Sequence, residues 1–443
     1  MAGVLKTKPR CFSVSYQNLQ TWSVAAQFAV EWRWPDEVIK PLGSILKRRS
    51  EAALNTLPPE SFVNLLTIRF DGSIEPREPV QIQNVKGKLF CVYPGDVIFS
   101  KIDVRNGAIG LAPNDIDSMC ATSEFPIYSV ETENAHSEYI KLLFRSAVFM
   151  KLLNSMISGA SGRKRIQPSQ LEGVKVPIPP FPIQNKIAEH WKKAQKEIEN
   201  GLKAQSDLIH ELNDYMIKQT RKYKLLRRSK LFSASFSQTP QWDVKAGRAA
   251  VFKEANPSFA RLGDYTEECA EMVKPWEYPD KLWPIYGVNN KDGVFLSTKQ
   301  GTARFNAAYK RIEKDWFFHN PTRANVGSLG IVPEVPDDAI TSPEYQVWKL
   351  TGGFEPEFMD LLLQTQYFLT LVSFNRVGGV KQRMYYANLA EIRLPIVSPD
   401  TQKEYIKRKA AIKANLKGAA THLIEVKKQV EKLILGTLSV EDL

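Results

Sequence analysis

The chain has 443 residues, of which 43% are hydrophobic and 24% are charged. This is ordinary globular composition, and the length suffices for two or three domains, each with its own core. No apolar run approaches the roughly 20 residues of a membrane span and the N-terminus has no hydrophobic signal core, so we expect a cytoplasmic protein that does not enter membranes. The formal net charge of +12 favours a polyanionic partner, nucleic acid first.

The residue types that bind metals form no recognisable pattern. The four cysteines (Cys11, Cys91, Cys120 and Cys269) are scattered and include no C-x-x-C pair, which indicates neither a zinc site nor a disulfide framework. The five histidines show no metal-ligand spacing. The sequence therefore predicts no metal in this chain.

The sequence repeats itself once, at a spacing of about 219 residues. Asp96-Val97-Ile98-Phe99 returns as Asp315-Trp316-Phe317-Phe318, and Thr122-Ser123 returns as Thr341-Ser342. A repeat of this length is typical of a duplicated domain rather than of a solenoid unit.

Each copy has the pattern of a mixed α+β domain. Residues 88–104 combine β-branched and aromatic runs around Pro94-Gly95-Asp96, which predicts strand, turn and strand. Alternating strands at 124–130 and 345–350 precede helices predicted around 136–154 and 356–373. A basic glycine-rich loop and a short strand follow in each copy. These strands end at VPIPP (176–180) and at LPIV (394–397).

A long amphipathic helix closes each copy. Apolar residues recur there in alternating steps of four and three, the period of a coiled-coil seam. The first seam contains Ile187, Trp191, Ala194, Ile198, Gly201, Gln205, Leu208, Leu212 and Tyr215, and the second contains Ile412, Leu416, Ala419, Leu423, Val426, Val430 and Leu433. The second globular half begins where the first helix ends and finishes where the second begins, so the two helices are predicted to pair antiparallel.

The predicted fold is therefore two homologous α+β domains joined by two long antiparallel coiled-coil helices, with pseudo-twofold symmetry. The predicted boundaries are 1–182 for the first domain, 183–228 for the first helix, 229–398 for the second domain and 399–443 for the second helix.

Two basic loops are the strongest candidates for binding. Glycine lets a loop approach a phosphate or groove closely, and arginine can donate two hydrogen bonds to a phosphate or a guanine edge. The candidates in the first loop (158–171) are Ser161, Arg163, Lys164 and Arg165, and those in the second (376–389) are Arg376, Lys381, Gln382 and Arg383. A solvated basic turn would look similar, but the recurrence at matching positions favours binding.

A second pair of candidate clusters lies in turn-like sequence. Lys101, Arg105 and Asn106 in the first copy correspond approximately to Asn320, Arg323 and Asn325 in the second. Their Asn-Gly and Arg-Ala-Asn contexts also suit ordinary hairpin turns. We retain both interpretations, nucleic-acid contact and plain turn.

No catalytic motif is recognisable. Ile178-Pro179-Pro180-Phe181 resembles the Asn/Asp-Pro-Pro-aromatic motif of amino-methyltransferases, but apolar position 178 cannot accept a hydrogen bond from the amino group of a flipped base. No dinucleotide loop and no phosphate-binding G-x-x-x-x-G-K-[ST] is present. The sequence therefore predicts a chain without catalytic residues.

The chain resembles the specificity subunit of Type I restriction–modification systems. The resemblance rests on PGDVIFSKIDVRNGAIG, RKRIQPSQLEGVKVPIPPFPIQNKIAEH and KQRMYYANLAEIRLPIVSPDTQKEYI. It implies that each globular half is a target-recognition domain for one part of an asymmetric bipartite site in double-stranded DNA. It also implies that two methyltransferase subunits dock on the helices, together with restriction/translocase subunits. S-adenosylmethionine, ATP and magnesium would then serve those partners, which methylate adenine and cleave DNA, and this chain would hold no cofactor.

The sequence departs from the family pattern at one point. The usual Glu-Gln after the proline motif is Ile183-Gln184 here, and the second copy reads Asp400-Thr401-Gln402. Two other functions stay open on the residues alone. One is a self-sufficient DNA methyltransferase with fused recognition domains, and the other is a coiled-coil adaptor that binds no DNA.

Overall fold

The computed structural model describes residues 32–116, 118–155, 165–228, 231–235, 237, 243–378 and 381–443. The chain divides into two compact units. The first unit comprises residues 1–198 and 419–443, and the second comprises residues 199–418.

Two four-stranded sheets and a two-stranded ribbon form the framework of the first unit. Its strands are β1 (Ile39–Pro41), β2 (Leu46–Arg49), β3 (Phe62–Ile68), β4 (Ile74–Gln81), β5 (Leu89–Cys91), β6 (Val97–Phe99), β7 (Ile109–Leu111), β8 (Met119–Thr122), β9 (Ile127–Val130) and β10 (Lys175–Pro177). One sheet has the order β4-β3-β8-β5, in which β3 and β8 are parallel. The other has the antiparallel order β2-β9-β6-β7, and β1 pairs with β10.

The strand–turn–strand prediction for residues 88–104 is confirmed, with one addition. β5 and β6 belong to different sheets, so the Pro94-Gly95 turn carries the chain from one sheet to the other. Gly95 has φ +77°, a left-handed conformation that costs glycine little.

Three short helices cover the sheets of the first unit. They are α1 (Ser137–Arg145), α2 (Ala147–Ser155) and α3 (Pro168–Glu172). Large side chains from strands and helices fill the core between them, among them Phe99, Tyr128, Tyr139, Phe144 and Phe149.

The single helix predicted at 136–154 is wrong, because it is broken at Ser146. That residue is extended (ψ 140°), and its hydroxyl accepts a hydrogen bond from Phe149 N at 3.1 Å, so it caps the start of α2. The single helix predicted at 356–373 is wrong for the same reason. Thr365 is extended there, and its hydroxyl accepts from Phe368 N at 3.2 Å.

The second unit repeats the element order of the first. Its strands are β11 (Ala260–Arg261), β12 (Thr266–Glu268), β13 (Met272–Val273), β14 (Leu282–Asn289), β15 (Gly293–Gly301), β16 (Tyr309–Arg311), β17 (Phe317–His319), β18 (Leu329–Ile331), β19 (Ile340–Thr341), β20 (Gln346–Leu350) and β21 (Arg393–Leu394). The sheets are β13-β16-β19-β14-β15, β12-β20-β17-β18 and β11-β21. Only β13 lacks a counterpart among the described strands of the first unit, so the predicted duplication is confirmed.

The remaining short helices follow the same scheme. In the second unit, α7 (Pro356–Leu363), α8 (Gln366–Asn375) and α9 (Tyr386–Ala390) correspond in order to α1, α2 and α3. Before them, α5 (Tyr223–Arg228) and α6 (Val244–Ala255) precede the sheets of this unit. In the part of the chain that the structure describes, no helix is long and apolar enough to span a membrane.

The two long helices are α4 (Phe181–Lys218) and α10 (Pro399–Leu435), and they pair antiparallel within each unit. In the first unit, His190 Nε2 lies 2.7 Å from Gln429 Oε1, and Glu197 Oε2 lies 2.8 Å from His422 Nδ1. In the second unit, Arg408 donates two hydrogen bonds to Glu211, at 2.7 and 2.6 Å. Residue numbers rise along one helix as they fall along the other.

The seam residues lie on the paired faces. Seven of them are at most 4% exposed, namely Ile187, Ala194, Leu208, Leu212, Val426, Val430 and Leu433. Trp191, Ile198, Ile412, Leu416 and Leu423 are half-buried, whereas Gln205 is exposed. The first helix ends at Lys218 rather than near 228, because Lys222 has φ +58° and separates it from α5.

Candidate nucleic-acid interface

The candidates Lys101, Arg105 and Asn106 lie in the tight connection between β6 and β7. Ser100 N donates to Ala108 O at 2.9 Å across this connection, and a 3-10 turn (Val104–Asn106) lies inside it. Asn106 is exposed, whereas Lys101 and Arg105 are half-buried. The residue after the turn, Gly107, has φ +104°. The second unit builds the same connection with a 3-10 turn (Ala324–Val326) that includes Asn325 and follows Arg323.

The end of the first basic loop lies against this connection. Ile166 N donates to Lys101 O at 2.9 Å, and Lys101 Nζ donates to Ser123 O at 2.6 Å. Arg165 approaches Glu124 with an N–O distance of 3.5 Å between two exposed side chains, a weak pair that leaves the guanidinium accessible to solvent. The fold thus brings two separately predicted groups together. The predicted contacts Ser161, Arg163 and Lys164 lie outside the described residues.

The two ends of the second basic loop that the structure describes pair with each other and pack on the corresponding turn. Val377 and Arg383 exchange backbone hydrogen bonds of 2.9 and 2.8 Å at its base. Arg376 Nη2 donates to Gln382 O at 2.6 Å and to Thr322 O at 3.1 Å, so this arginine joins the loop to the residue before Arg323. The side chains of Lys381 and Arg383 are exposed.

A buried histidine holds the second loop to β17. His319 is 1% exposed, and its Nε2 lies 2.9 Å from Met384 O, next to Arg383. Because a carbonyl oxygen only accepts, Nε2 carries the proton. Burial lowers the pKa of His319 to about 4, so the ring is neutral at physiological pH.

A third segment was missed by sequence reasoning: the tip of the β3–β4 hairpin, residues 69–73. An ideal Cβ on Gly107 would lie 2.0 Å from Phe70 O, and one on Gly110 would lie 1.9 Å from Gly72 O. The tip therefore rests directly on the candidate turn, and only glycine permits this approach. Arg145 fixes the arrangement by donating to Phe70 O at 3.0 Å, to Gly107 O at 2.8 Å and to Ile109 O.

The second unit places its β14–β15 hairpin tip in the same position. A Cβ on Gly327 would lie 3.1 Å from the Cβ of Asn290. Asn289 Oδ1 accepts from Lys291 N at 2.8 Å and from Asp292 N at 2.7 Å, which leaves the side chains of Asn290 and Lys291 exposed. The Asp-Gly pairs of the two tips are a recognisable hairpin signal that could have directed attention there.

In each unit, three segments thus form one surface: the hairpin tip, the 3-10 turn and the part of the basic loop that the structure describes. We call this surface the tip–turn–loop surface. Its arginine, lysine and asparagine side chains can donate hydrogen bonds to phosphates and base edges. No three His, Cys, Asp or Glu side chains among the described residues are grouped so that they could hold a metal ion.

The proline motif at 178–181 is part of the fold rather than of a cleft. Ile178 is 6% exposed, and its N–H donates to Val38 O at 2.8 Å. Pro179 O accepts from Gln184 Nε2 at 2.7 Å, and Phe181 begins α4. These residues form the entry to the long helix.

Part of the chain is similar to a known family of domains. Residues 81–205 match the family model of the Type I restriction modification DNA specificity domain. None of the curated proteins matches the chain significantly.

Solved structures that match include a chain from work on complex assembly and conformational transition of the type I R-M system (14% identity, 89% of this chain, 96% of that chain, TM-score 0.45). A second match is the HsdS subunit from Thermoanaerobacter tengcongensis, with 15% identity over 90% of this chain and 97% of that chain and a TM-score of 0.33. A third is the Type-I restriction-modification system S subunit from M. genitalium, with 12% identity over 91% of this chain and 96% of that chain and a TM-score of 0.41. Through residues 81–205, the chain is similar to the Type I restriction modification DNA specificity domain.

Proposed function

We propose that this chain is the sequence-specific DNA-recognition subunit of a Type I restriction–modification complex and that each unit reads one half of a bipartite site. The observation that supports this proposal is the recurrence of the tip–turn–loop surface in both units. A single basic turn is common on protein surfaces, but three segments that converge twice in equivalent positions indicate a shared use.

The two half-sites should differ in sequence. The backbone frame of the two surfaces is the same, yet their side chains are not: Phe70 and Arg105 in the first unit correspond to Asn290 and Asn325 in the second. Because base discrimination depends on side-chain donors, acceptors and apolar groups, two different sets favour an asymmetric target.

The catalytic steps belong to partner subunits in this proposal. Two methyltransferase subunits would dock on the long helices, and restriction/translocase subunits would complete the complex. S-adenosylmethionine, ATP and magnesium would be held by those partners, with methylation and cleavage of DNA as the activities of the whole assembly. The chain itself contributes the DNA sequence preference.

The test uses the chain assembled with its methyltransferase partners and maps methylated sites genome-wide for wild type, Arg105→Ala, Arg323→Ala and Lys40→Ala. Lys40 is an exposed residue of β1 and serves as the charge-matched control. We expect Arg105→Ala to relax one half-site, Arg323→Ala to relax the other, and Lys40→Ala to relax neither. Loss of a base-edge contact should cost about 1–3 kcal/mol at one position.

Two outcomes would contradict the proposal. An unchanged methylation pattern in both arginine variants would remove the tip–turn–loop surfaces from recognition and favour an adaptor that binds no DNA. Stoichiometric binding of S-adenosylmethionine to the isolated chain would favour a self-sufficient methyltransferase instead.

A further inference from the structure

We propose that Phe70 is a base-contacting residue whose ring packs against the C5 methyl group of a thymine in the major groove of the first half-site. The inference rests on the proposed function and adds one specific contact to it. It assigns an apolar, thymine-selecting role to a side chain that lies between polar and basic groups.

The position of Phe70 is more informative than its exposure. Its side chain is 62% exposed, which alone is unremarkable because single apolar residues are common on protein surfaces. Its carbonyl, however, lies against Gly107, the residue that follows Arg105 and Asn106. The backbone of Phe70 therefore lies against the turn that carries Arg105 and Asn106, whose side chains suit phosphates and base edges.

The backbone that carries the ring is fixed before any ligand arrives. Arg69 N donates to Ser73 O at 2.9 Å, and Gly72 N donates to Arg69 O at 3.0 Å. Ser73 N and Ser73 Oγ donate to Asp71 Oδ1 at 2.9 and 2.7 Å, and these bonds lower the pKa of the Asp71 carboxyl. Together with the Arg145 bonds, they hold the tip in one conformation, so a contact made by the ring requires little ordering of the backbone.

The shape and chemistry of the tip select the ligand group. Beyond Leu65, where β3 pairs with β8, the β3–β4 hairpin continues with two strands only, among the strands that the structure describes. A two-stranded ribbon fits the major groove, where the thymine methyl is the apolar feature that distinguishes one base from the others. Phenylalanine has no donor or acceptor and can recognise only such an apolar group or a base face. The second unit has exposed Asn290 and Lys291 at its tip, so this contact would belong to one half-site alone.

The experiment is a binding titration of the assembled complex with duplexes that contain the mapped site. The variants are Phe70→Ala, Phe70→Leu and, as control, Phe62→Ala. Phe62 is 61% exposed and begins β3, six residues from the end of the strand that leads into the tip, so it tests the loss of an equally exposed ring elsewhere on the hairpin. We expect about tenfold weaker binding for Phe70→Ala, less loss for Phe70→Leu, and a change under about twofold for Phe62→Ala.

The DNA is varied in parallel by replacing each thymine of the first half-site, one at a time, with uracil, which lacks the methyl group. At one position, uracil should weaken binding of the wild-type protein about tenfold and should cause no further loss with Phe70→Ala. This coupling distinguishes a direct contact from an indirect effect of either change.

Three results would overturn the inference. Binding by Phe70→Ala that equals that of the wild type would exclude any contact. A loss that couples to no thymine methyl would indicate insertion of the ring between bases and would refute the thymine assignment. A loss shared by Phe62→Ala would indicate general destabilisation of the hairpin. If Arg105→Ala still relaxes the half-site in these cases, the proposed function stands and only the assignment of Phe70 fails.

Discussion

Two buried glutamines, one in each unit, join the start of a long helix to the loop before a short helix. Gln184 is 0% exposed; its Oε1 accepts from His136 N at 2.8 Å, and its Nε2 donates to the carbonyls of Asn134 and Pro179 at 2.9 and 2.7 Å. Gln402 is 2% exposed and makes the corresponding bonds with Glu355 N, Gly353 O and Val397 O at 2.8, 3.0 and 2.9 Å.

Replacing Gln184 by Ala should destabilise the first unit by about 3–5 kcal/mol. Three hydrogen bonds contribute roughly 1 kcal/mol each, and the backbone groups left behind would be buried without partners unless water enters the cavity. Gln184→Glu should be similarly harmful at neutral pH. Its carboxylate can still accept from His136 N but faces two carbonyl oxygens, and protonation at lower pH should recover part of the loss.

Hydrogen exchange is the measurement of choice because it reports each unit separately. We expect faster exchange after Gln184→Ala at the amide of His136 and through α1, and after Gln402→Ala at the amide of Glu355 and through α7. Gln205→Ala on the same long helix is the matched control, because its side chain is exposed, and it should change stability by under about 0.5 kcal/mol. A Gln184→Ala variant with wild-type protection at His136 would refute the reasoning.

Three more predictions follow from single contacts. Gly107→Ala should lower the free energy of unfolding, measured in an unfolding titration, by more than about 3 kcal/mol, because the new Cβ would strike Phe70 O. Gly95 also has a positive φ but has open space around it, so Gly95→Ala should lower that free energy by only about 1–2 kcal/mol. His319 has a pKa of about 4 in the folded protein, below its value in the unfolded chain. Its contribution to the free energy of unfolding should therefore be complete above about pH 6.5 and should fall by about 2 kcal/mol by pH 5. His319→Gln should flatten that pH profile. Lys409→Met should destabilise the second unit by about 1–3 kcal/mol, because the half-buried ammonium contacts two carboxylates of α7; a melting temperature equal to that of the wild type would contradict it.

The architecture was predictable because it rests on repetition and periodicity, which are visible along the chain. The seam indicated two long helices, and the duplicated phrases required two similar domains. The helix breaks at Ser146 and Thr365 were not predictable in the same way. Apolar residues continue on both sides of each position, and the deciding hydrogen bond, which the amide three residues later donates to the hydroxyl, changes no hydrophobic pattern.

The candidate interface was predictable only in parts. Basic residues in glycine-rich loops are recognisable from composition, but their neighbours are set by tertiary contacts. The approach of Gly107 to Phe70 joins residues 37 positions apart, and the bonds of Arg145 reach back 75 positions to the same carbonyl. No local pattern encodes those contacts, so the hairpin tip stayed outside the predicted site.

A comparison of the two copies within this chain distinguishes the residues that the shared fold requires from those that recognition requires. Two pairs of residues occupy equivalent places in the two copies and make equivalent hydrogen bonds: Ser146 with Thr365, and Gln184 with Gln402. Each of these side chains satisfies buried backbone groups that have no alternative partner. The hairpin tips do not match in this way. Arg145 holds the first tip, whereas Gln364 at the corresponding position bonds to Asp360 O of its own helix at 3.0 Å, and the second tip is held by Asn289 instead. Each tip is therefore fixed by a different local solution, which leaves its exposed residues free to differ while the sheets beneath stay the same. A protein needs such a division, between sheets that stay the same and exposed residues that differ, if it is to present two different recognition surfaces on one repeated fold.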